Sequence, residues 1–298
     1  MDAQGTKPRA GHSQADLVAA AVAFAAPSGG IIDIGINLVD RSFEKDRAAV
    51  IERAAAAGVR AMVVTGTCTR AAPLLTWQTP RPRTHSISRP ACTRTTQSPP
   101  KGCDADTLSA LTRLAAHPKC VAIGECGLDF NRNFSPPDVQ IEWFEKQVAL
   151  VKTLQKPLFM HCRDAADDFA RILSAHAPLG VPAVVHCFTG SKDELERFLA
   201  LGLYIGITGW ICDDRPERGG AELASLLPSI PSDKLMIETD GPYLVPRSIK
   251  PSRARPGRNE PALLPHVLRA VAHATGKSEE QVARETSDVV RAVFGLPL

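Results

Sequence analysis

Four short apolar runs in this 298-residue chain each end on a side chain that binds divalent metals. Residues 121–124 lead into Glu125, 157–160 into His161, 182–185 into His186 and 235–239 into Asp240. Mixed carboxylate and imidazole donors suit Mg, Mn or Zn. A cation held by such a set screens an anionic phosphate, polarises its oxygen and lowers the pKa of a bound water, which is the chemistry of phosphodiester hydrolysis. In that chemistry Asp240 can serve as ligand and general base, and Glu125 can bridge two metals if two are bound. A lone histidine at a strand end is ordinarily a hydrogen-bonded core group. Four such positions on separate runs point to a site instead.

Positioning these groups requires a framework that brings four strand ends together. A parallel strand buried on both faces reads as a continuous apolar run, and barrel enzymes carry out their chemistry at strand ends. Apolar runs and amphipathic stretches alternate from Ile31 onward. Strands are expected at Ile31–Ile36, at 61–65, at the four runs above and at 203–207. Helices are expected at 43–57, 136–154, 165–177, 193–201, 262–275 and 278–294, with Ser191 and Glu194 in the form of a capping box. Seven strands and one gap predict an α/β fold, a TIM (β/α)8 barrel with one strand corrupted in residues 76–99. The barrel domain is assigned to 31–298, and 1–30 to an N-terminal extension that is disordered or a short helix. Pro27, Ser28, Gly29 and Gly30 mark the boundary.

No run approaches the roughly 18 apolar residues of a membrane span, the longest being 17–26, so a soluble monomer without a membrane partner is expected. Eight cysteines without CxxC pairing read as reduced thiols of a cytoplasmic protein. Aromatic residues make up only 5%, which argues against a base-stacking platform.

Residues 76–99, TWQTPRPRTHSISRPACTRTTQSP, fall in the gap. They are rich in Thr, Ser, Pro and Arg, with no acidic residue and almost no aliphatic one. A disordered insertion, a basic nucleic-acid-binding loop and a frame slip in GC-rich DNA compete as explanations. Arg89 to Gln97 can be encoded as CGG CCG GCG TGC ACC CGC ACG ACG CAA, and the displaced frame then reads Ala-Gly-Val-His-Pro-His-Asp-Ala. Across His85 to Ser88 the displaced frame permits Phe/Leu, an aromatic or polar residue, Phe/Leu/Ile and Ser/Thr. That is a barrel strand ending in His-Pro-His, and the frame slip is the favoured reading. Arg81, Arg83, Arg89 and Arg94 supply four positive charges, so without them the net charge falls from +3 to −1 and says little about partners.

The segments IGECGLD at 123–129, FMHCRD at 159–164, VHCFTG at 185–190, IGITG at 205–209, IETDGPY at 237–243 and RNEP at 258–261 resemble the TatD family of metal-dependent deoxyribonucleases. The resemblance runs from about residue 31 to 294, and the displaced-frame His-Pro-His is also a hallmark of that family. It implies a TIM barrel with divalent metal at its C-terminal mouth, Mg first with Mn or Zn as alternatives, one or two per chain. It implies a hydrolase that cuts single-stranded DNA as a 3′ to 5′ exonuclease, or RNA in some members. By the same resemblance Glu125, His161, His186 and Asp240 fall on the family's metal positions, with Glu125 and Asp240 as catalytic groups. Many members carry His-x-His at the end of the first strand. Here Gly35 and Asn37 stand at those positions, which leaves a fully ligated second metal open.

Cys126, Cys162 and Cys187 each follow a proposed ligand, and strand alternation turns them towards the helices. Asp129 and Asp164 either orient a ligand or substrate or cap the following helices. The stretch holding Arg247, Lys250, Arg253, Arg255 and Arg258 contains no acidic residue and follows Asp240, so Arg253, Arg255 and Arg258, together with Asp164, are candidates for phosphate or substrate contact. Two other classes compete with a nuclease: an amidohydrolase-type barrel acting on small substrates, and an inactive product of a frame-shifted gene.

Overall fold

The computed structural model describes residues 13–21, 29–65, 85–88 and 105–296. Eight parallel strands lie in one sheet in sequence order: β1 (Ile31–Ile36), β2 (Val59–Val64), β3 (His85–Ser88), β4 (Cys120–Asp129), β5 (Leu158–Arg163), β6 (Ala183–Val185), β7 (Tyr204–Ile207) and β8 (Leu235–Ile237). The helices are α1 (Gln14–Ala21), α2 (Arg47–Ala56), α3 (Ala105–Ala115), α4 (Pro137–Leu154), α5 (Ala166–Ala175), α6 (Lys192–Ala200), α7 (Gly220–Leu226), α8 (Leu264–Thr275) and α9 (Glu279–Phe294). The strands are apolar throughout because both faces are covered; all six residues of β1 and all ten of β4 are buried. Ile32, Ile34, Val63, Phe159, Val184 and Met236 form an inner cluster that α9 joins through Val290, Val293 and Phe294. Residues alternating with them, such as Ile31, Met62, Leu158 and Met160, pack outward against Phe144, Phe169, Phe198 and Leu268 of the helices.

The segment after β8 is tied back to β1, in keeping with a TIM-like barrel. Asp240 N donates to Gly35 O at 2.7 Å, Asn37 N donates to Gly241 O at 2.9 Å, and Ile36 bridges Gly241 in parallel. Asp33 ties the same seam from inside. Its fully buried carboxyl group accepts from Thr239 N at 3.0 Å, Thr239 Oγ1 at 2.5 Å and Gly35 N at 3.1 Å.

One expectation needs correction. The slot of the missing strand is filled by β3, whose backbone pairs with Val63 and Val64 on one side and with Cys120 and Ile123 on the other. A ladder asks only for main-chain N–H and C=O groups, which the His85–Ser88 stretch supplies whatever its side chains. Residues 76–84 and 89–99, including the codons that give the displaced His-Pro-His, lie outside the described residues. Elsewhere the differences are at element ends. Residues 41–43 form a short 3-10 turn capped by Asp40, so the helix expected from 43 starts at Arg47. The capping box at α6 forms as expected, with Ser191 N donating to Glu194 Oε2 at 2.6 Å and Glu194 N to Ser191 Oγ at 3.3 Å.

Within the N-terminal extension, α1 packs Val18 and Ala21 against Ile249, Ala262 and Leu263, and Gln14 bonds the main chain of Gly257 and Arg258. Among the described residues no helix is long and apolar enough to cross a membrane.

Burial holds the Asp33 carboxyl group well above its ordinary value, at about 7, against the lowering effect of its Thr239 and Gly35 donors. An acid with a higher pKa folded than unfolded binds its proton more tightly in the folded state. The stabilisation is therefore present below the unfolded value near 4 and is lost as pH rises to 7. Relative to wild type, Asp33→Asn should gain stability on the order of a few kcal/mol between pH 4 and 7, read from urea midpoints. A pH-independent difference between the two proteins would contradict this.

Candidate metal centre

Three strands and the segment beyond a fourth bring the predicted ligands to one end of the barrel. His186 directly follows β6 and Asp240 lies three residues beyond β8, as strand-end groups should. His161 lies inside β5, and Glu125 lies in the middle of β4, because that strand runs on to Asp129 with a register shift between Ile123 and Cys126. Gly127, at φ 129°, lets β4 press so close to β5 that a Cβ there would meet His161 O at 2.0 Å.

Glu125, His161 and His186 each present a ligand atom within 4.8 Å of the others, and all three are buried. His186 Nε2 is 3.0 Å from Glu125 Oε1 and 3.3 Å from His161 Nδ1; His161 Nδ1 is 3.6 Å from the same glutamate oxygen. His161 therefore turns Nδ1 to the centre, and His186 turns Nε2. The other nitrogen of each ring faces a carboxyl group, His161 Nε2 to Asp129 Oδ2 at 3.3 Å and His186 Nδ1 to Glu238 Oε2 at 3.4 Å. Phe159 stacks on the His186 ring with centroids 4.8 Å apart. Asp240 stands outside this triplet, on the wall of the cavity that His161 also lines. Asn37 Nδ2 donates to Asp240 Oδ1 at 3.0 Å, while Thr65 Oγ1 donates to Asn37 Oδ1 at 2.8 Å.

Three carboxyl groups, Glu125, Asp129 and Glu238, converge on two imidazoles with Asp240 on the cavity wall nearby, and none of the four is more than 6% exposed. Burying so much acid is costly without a compensating cation. Burial works against protonation of His186, but Glu125 and Glu238 together push its pKa up to about 10. Two inward nitrogens and a carboxylate fit a divalent ion, which would relieve the same excess of negative charge.

The cavity above the triplet is about 420 Å³ and is lined by His161 and Asp240 together with Arg163, Arg218, Trp210 and Tyr243. Arg163 and Arg218 lie with their guanidinium carbons 5.6 and 5.9 Å from the centre of the Trp210 ring, and Trp210 Nε1 donates to Arg218 O at 2.6 Å. The scarcity of aromatic residues is thus offset by where two of them sit.

Of the residues expected to meet substrate, Asp164 does not line this cavity; it accepts from Asn131 Nδ2 at 2.8 Å and borders two other surface pockets. Arg258 is drawn instead to Asp46 at 2.6 Å and lies over the Phe43 ring; Arg255 donates to Ile249 O and Arg247 O; Arg253 is exposed. None of the three arginines lines the cavity. Asp129 faces His161 with one oxygen and with the other accepts from the turn amides Asn131 N and Arg132 N; it does not cap the following helix, whose N-cap is Pro136 without a side-chain bond. Cys126 is buried in the outer core and Cys162 packs against it, as alternation requires, whereas Cys187 lines the cavity because the chain leaves β6 with φ 49° at that residue. Glu238 and Asp33 were hidden in sequence, each reading as one polar interruption of an apolar stretch.

The fold and the cluster define a class, a TIM-like barrel with a mouth site able to bind a metal ion. The family model described as TatD related DNase matches residues 32–295. A protein of Citrobacter rodentium (strain ICC168) named 3′-5′ ssDNA/RNA exonuclease TatD is 46% identical over 271 residues, spanning 90% of this chain and 99% of its own. A protein of the same name from Rahnella sp. (strain Y9602) is 44% identical over 276 residues, spanning 89% and 98%. A crystal structure of a TatD homologue from Escherichia coli K12 superimposes with a TM-score of 0.76 at 25% identity, covering 90% of this chain and 98% of that one. The chain belongs to the TatD-related DNase family.

Because a ligand that binds only the folded state stabilises it by mass action, Mn2+ at about 100 times its Kd should raise stability by about 2.7 kcal/mol. Glu125→Ala should abolish that gain in melting experiments, and its metal-free form should be less stable than wild type because the buried His186 imidazolium loses an acidic partner. A full metal-dependent shift in Glu125→Ala would rule out the triplet as the binding site.

Proposed function

We propose that this chain is a metal-dependent nuclease that removes nucleotides from the 3′ end of single-stranded DNA or RNA. The observation that carries the reading is one cavity that holds both halves of the chemistry. It reaches the Glu125–His161–His186 triplet through His161 and is also lined by Asp240, and its wall holds Arg163 and Arg218 next to Trp210 and Tyr243. The names of the 44–46% identical relatives support the same substrate class.

In this proposal Glu125, His161, His186 and Asp240 hold one divalent cation, Mg2+ first. A divalent cation held there would supply Lewis-acid polarisation of a phosphate oxygen and a lowered pKa for a bound water. Asp240, its Oδ1 held by Asn37, takes the proton of the attacking water on its other oxygen. Arg163 and Arg218 neutralise the backbone phosphates, and the two rings pack against an unpaired base. Residues 31–298 form the catalytic domain and 1–30 an appendage. The protein acts as a monomer in the cytoplasm, and five cysteines among the described residues form no disulfide, in keeping with a reducing compartment.

End-labelled single-stranded DNA should release mononucleotides when Mg2+ or Mn2+ is present and none in EDTA, with Glu125→Ala at least about a hundredfold slower. Arg163→Ala should raise KM and lower the slope of log affinity against log salt by about 1. Hydrolysis of small amides or lactones with no release of nucleotides would replace this reading by the amidohydrolase one.

A further inference from the structure

We propose that Glu238 is a positioning residue that sets the tautomer and ring orientation of His186, so that His186 Nε2 presents a lone pair to the metal. The inference rests on the metal-site reading above. It concerns a residue that lies outside the ligand set and does not touch the cavity.

Glu238 is fully buried just past the end of β8. Its two oxygens grip two successive residues at the end of β6. Oε2 is 3.4 Å from His186 Nδ1, and Oε1 accepts from Cys187 N at 2.5 Å. The main chain of His186 is pinned as well, since its N donates to Met160 O at 2.8 Å. With the backbone fixed on both sides, the remaining freedom of the imidazole lies in its rotation and in which nitrogen carries the proton.

Glu238 removes that freedom. Both ring nitrogens face carboxylates, Nδ1 facing Glu238 and Nε2 facing Glu125 Oε1 at 3.0 Å, and each donates while no cation is bound. A cation takes the place of the Nε2 proton, which leaves to solvent, and Glu238 keeps the remaining proton on Nδ1, so that Nε2 offers its lone pair to the metal. Phe159, stacked on the ring at 4.8 Å, keeps its plane. Without Glu238 the proton could sit on Nε2 and point at the metal position.

The barrel is shaped to admit this carboxylate. On β1 a Cβ at Gly35 would lie 1.9 Å from Glu238 Oε2, and on β7 a Cβ at Gly206 would lie 2.9 Å from Oε1. Two neighbouring strands thus give up their side chains at this level to house a charged group that an apolar residue would replace at lower desolvation cost. A purely structural filler does not require a carboxylate; orienting a ligand does. The departure at the end of the first strand, Gly35 in place of a larger residue, follows from the same need for space.

The test compares wild type, Glu238→Gln and Glu238→Asp in two measurements independent of nuclease activity. Isothermal titration gives the Kd for Mn2+, and 15N NMR of the zinc-loaded protein gives the protonated nitrogen of His186. A glutamine offers a single carbonyl oxygen to two donors, so Glu238→Gln should weaken metal binding about 10- to 100-fold, with its melting temperature in EDTA near that of wild type. Glu238→Asp, which keeps the carboxylate, should recover part of the loss. Wild type should show the proton on Nδ1. Wild-type affinity and an unchanged tautomer in Glu238→Gln would overturn the inference, as would a proton on Nε2 in wild type even if the glutamine variant failed to fold. Metal uptake by wild type with no effect of Glu238 refutes the positioning role alone, whereas absence of uptake by wild type refutes the metal site and this inference with it.

Discussion

The excess of buried acid at one end of the barrel is the constraint on which the rest of the site depends. Glu125, Asp129, Glu238 and Asp240 are all nearly inaccessible, and the first three face the imidazoles of His161 and His186. Such a cluster is unfavourable on its own, and each oxygen is therefore tied to a donor where one can be supplied. Asn37 serves Asp240, the turn amides of Asn131 and Arg132 serve Asp129, and Cys187 N serves Glu238. A divalent ion between Glu125, His161 and His186 would bring further positive charge to this acidic cluster.

The fold meets this demand at its seam. Where β8 returns to β1, main-chain bonds from Asp240 and Asn37 and the buried Asp33–Thr239 pair fix the segment 237–241 against the first strand. That fixation aims Glu238 at His186 from one side of the chain and Asp240 at the cavity from the other. Closing the sheet and assembling the site are one event here, which accounts for the polar residues at positions where a barrel seam would otherwise be packed with aliphatic ones. The cavity then adds what a metal cluster lacks, guanidinium groups and flat rings for a phosphate-linked base.

Much of this was legible in sequence because a parallel barrel writes its strands as apolar runs and its chemistry at their ends. His186 and Asp240 followed that rule closely. Glu125, expected at a strand end, lies inside β4, which continues past it to Asp129. The loop arginines misled because composition does not say which side of a loop faces the mouth. Arg258 is held by Asp46, some 212 residues away in the chain, and that partnership has no local signature. Arg163 and Tyr243 stood inside quoted motifs, yet their role depends on Trp210 and Arg218 from other loops. Glu238 escaped because its meaning lies in the two glycines opposite. The stretch read as a lost strand contributes β3 through its backbone, which composition could not reveal.

The central claim is that the triplet and Asp240 form a cation site at the mouth of this barrel. Diffraction from crystals soaked in Mn2+, with anomalous differences recorded at the manganese edge, tests it most directly. The account predicts one strong peak within about 2.0–2.3 Å of a Glu125 oxygen, His161 Nδ1 and His186 Nε2. A well-ordered, empty triplet in manganese-soaked crystals, or a peak bound only elsewhere on the molecule, would contradict it.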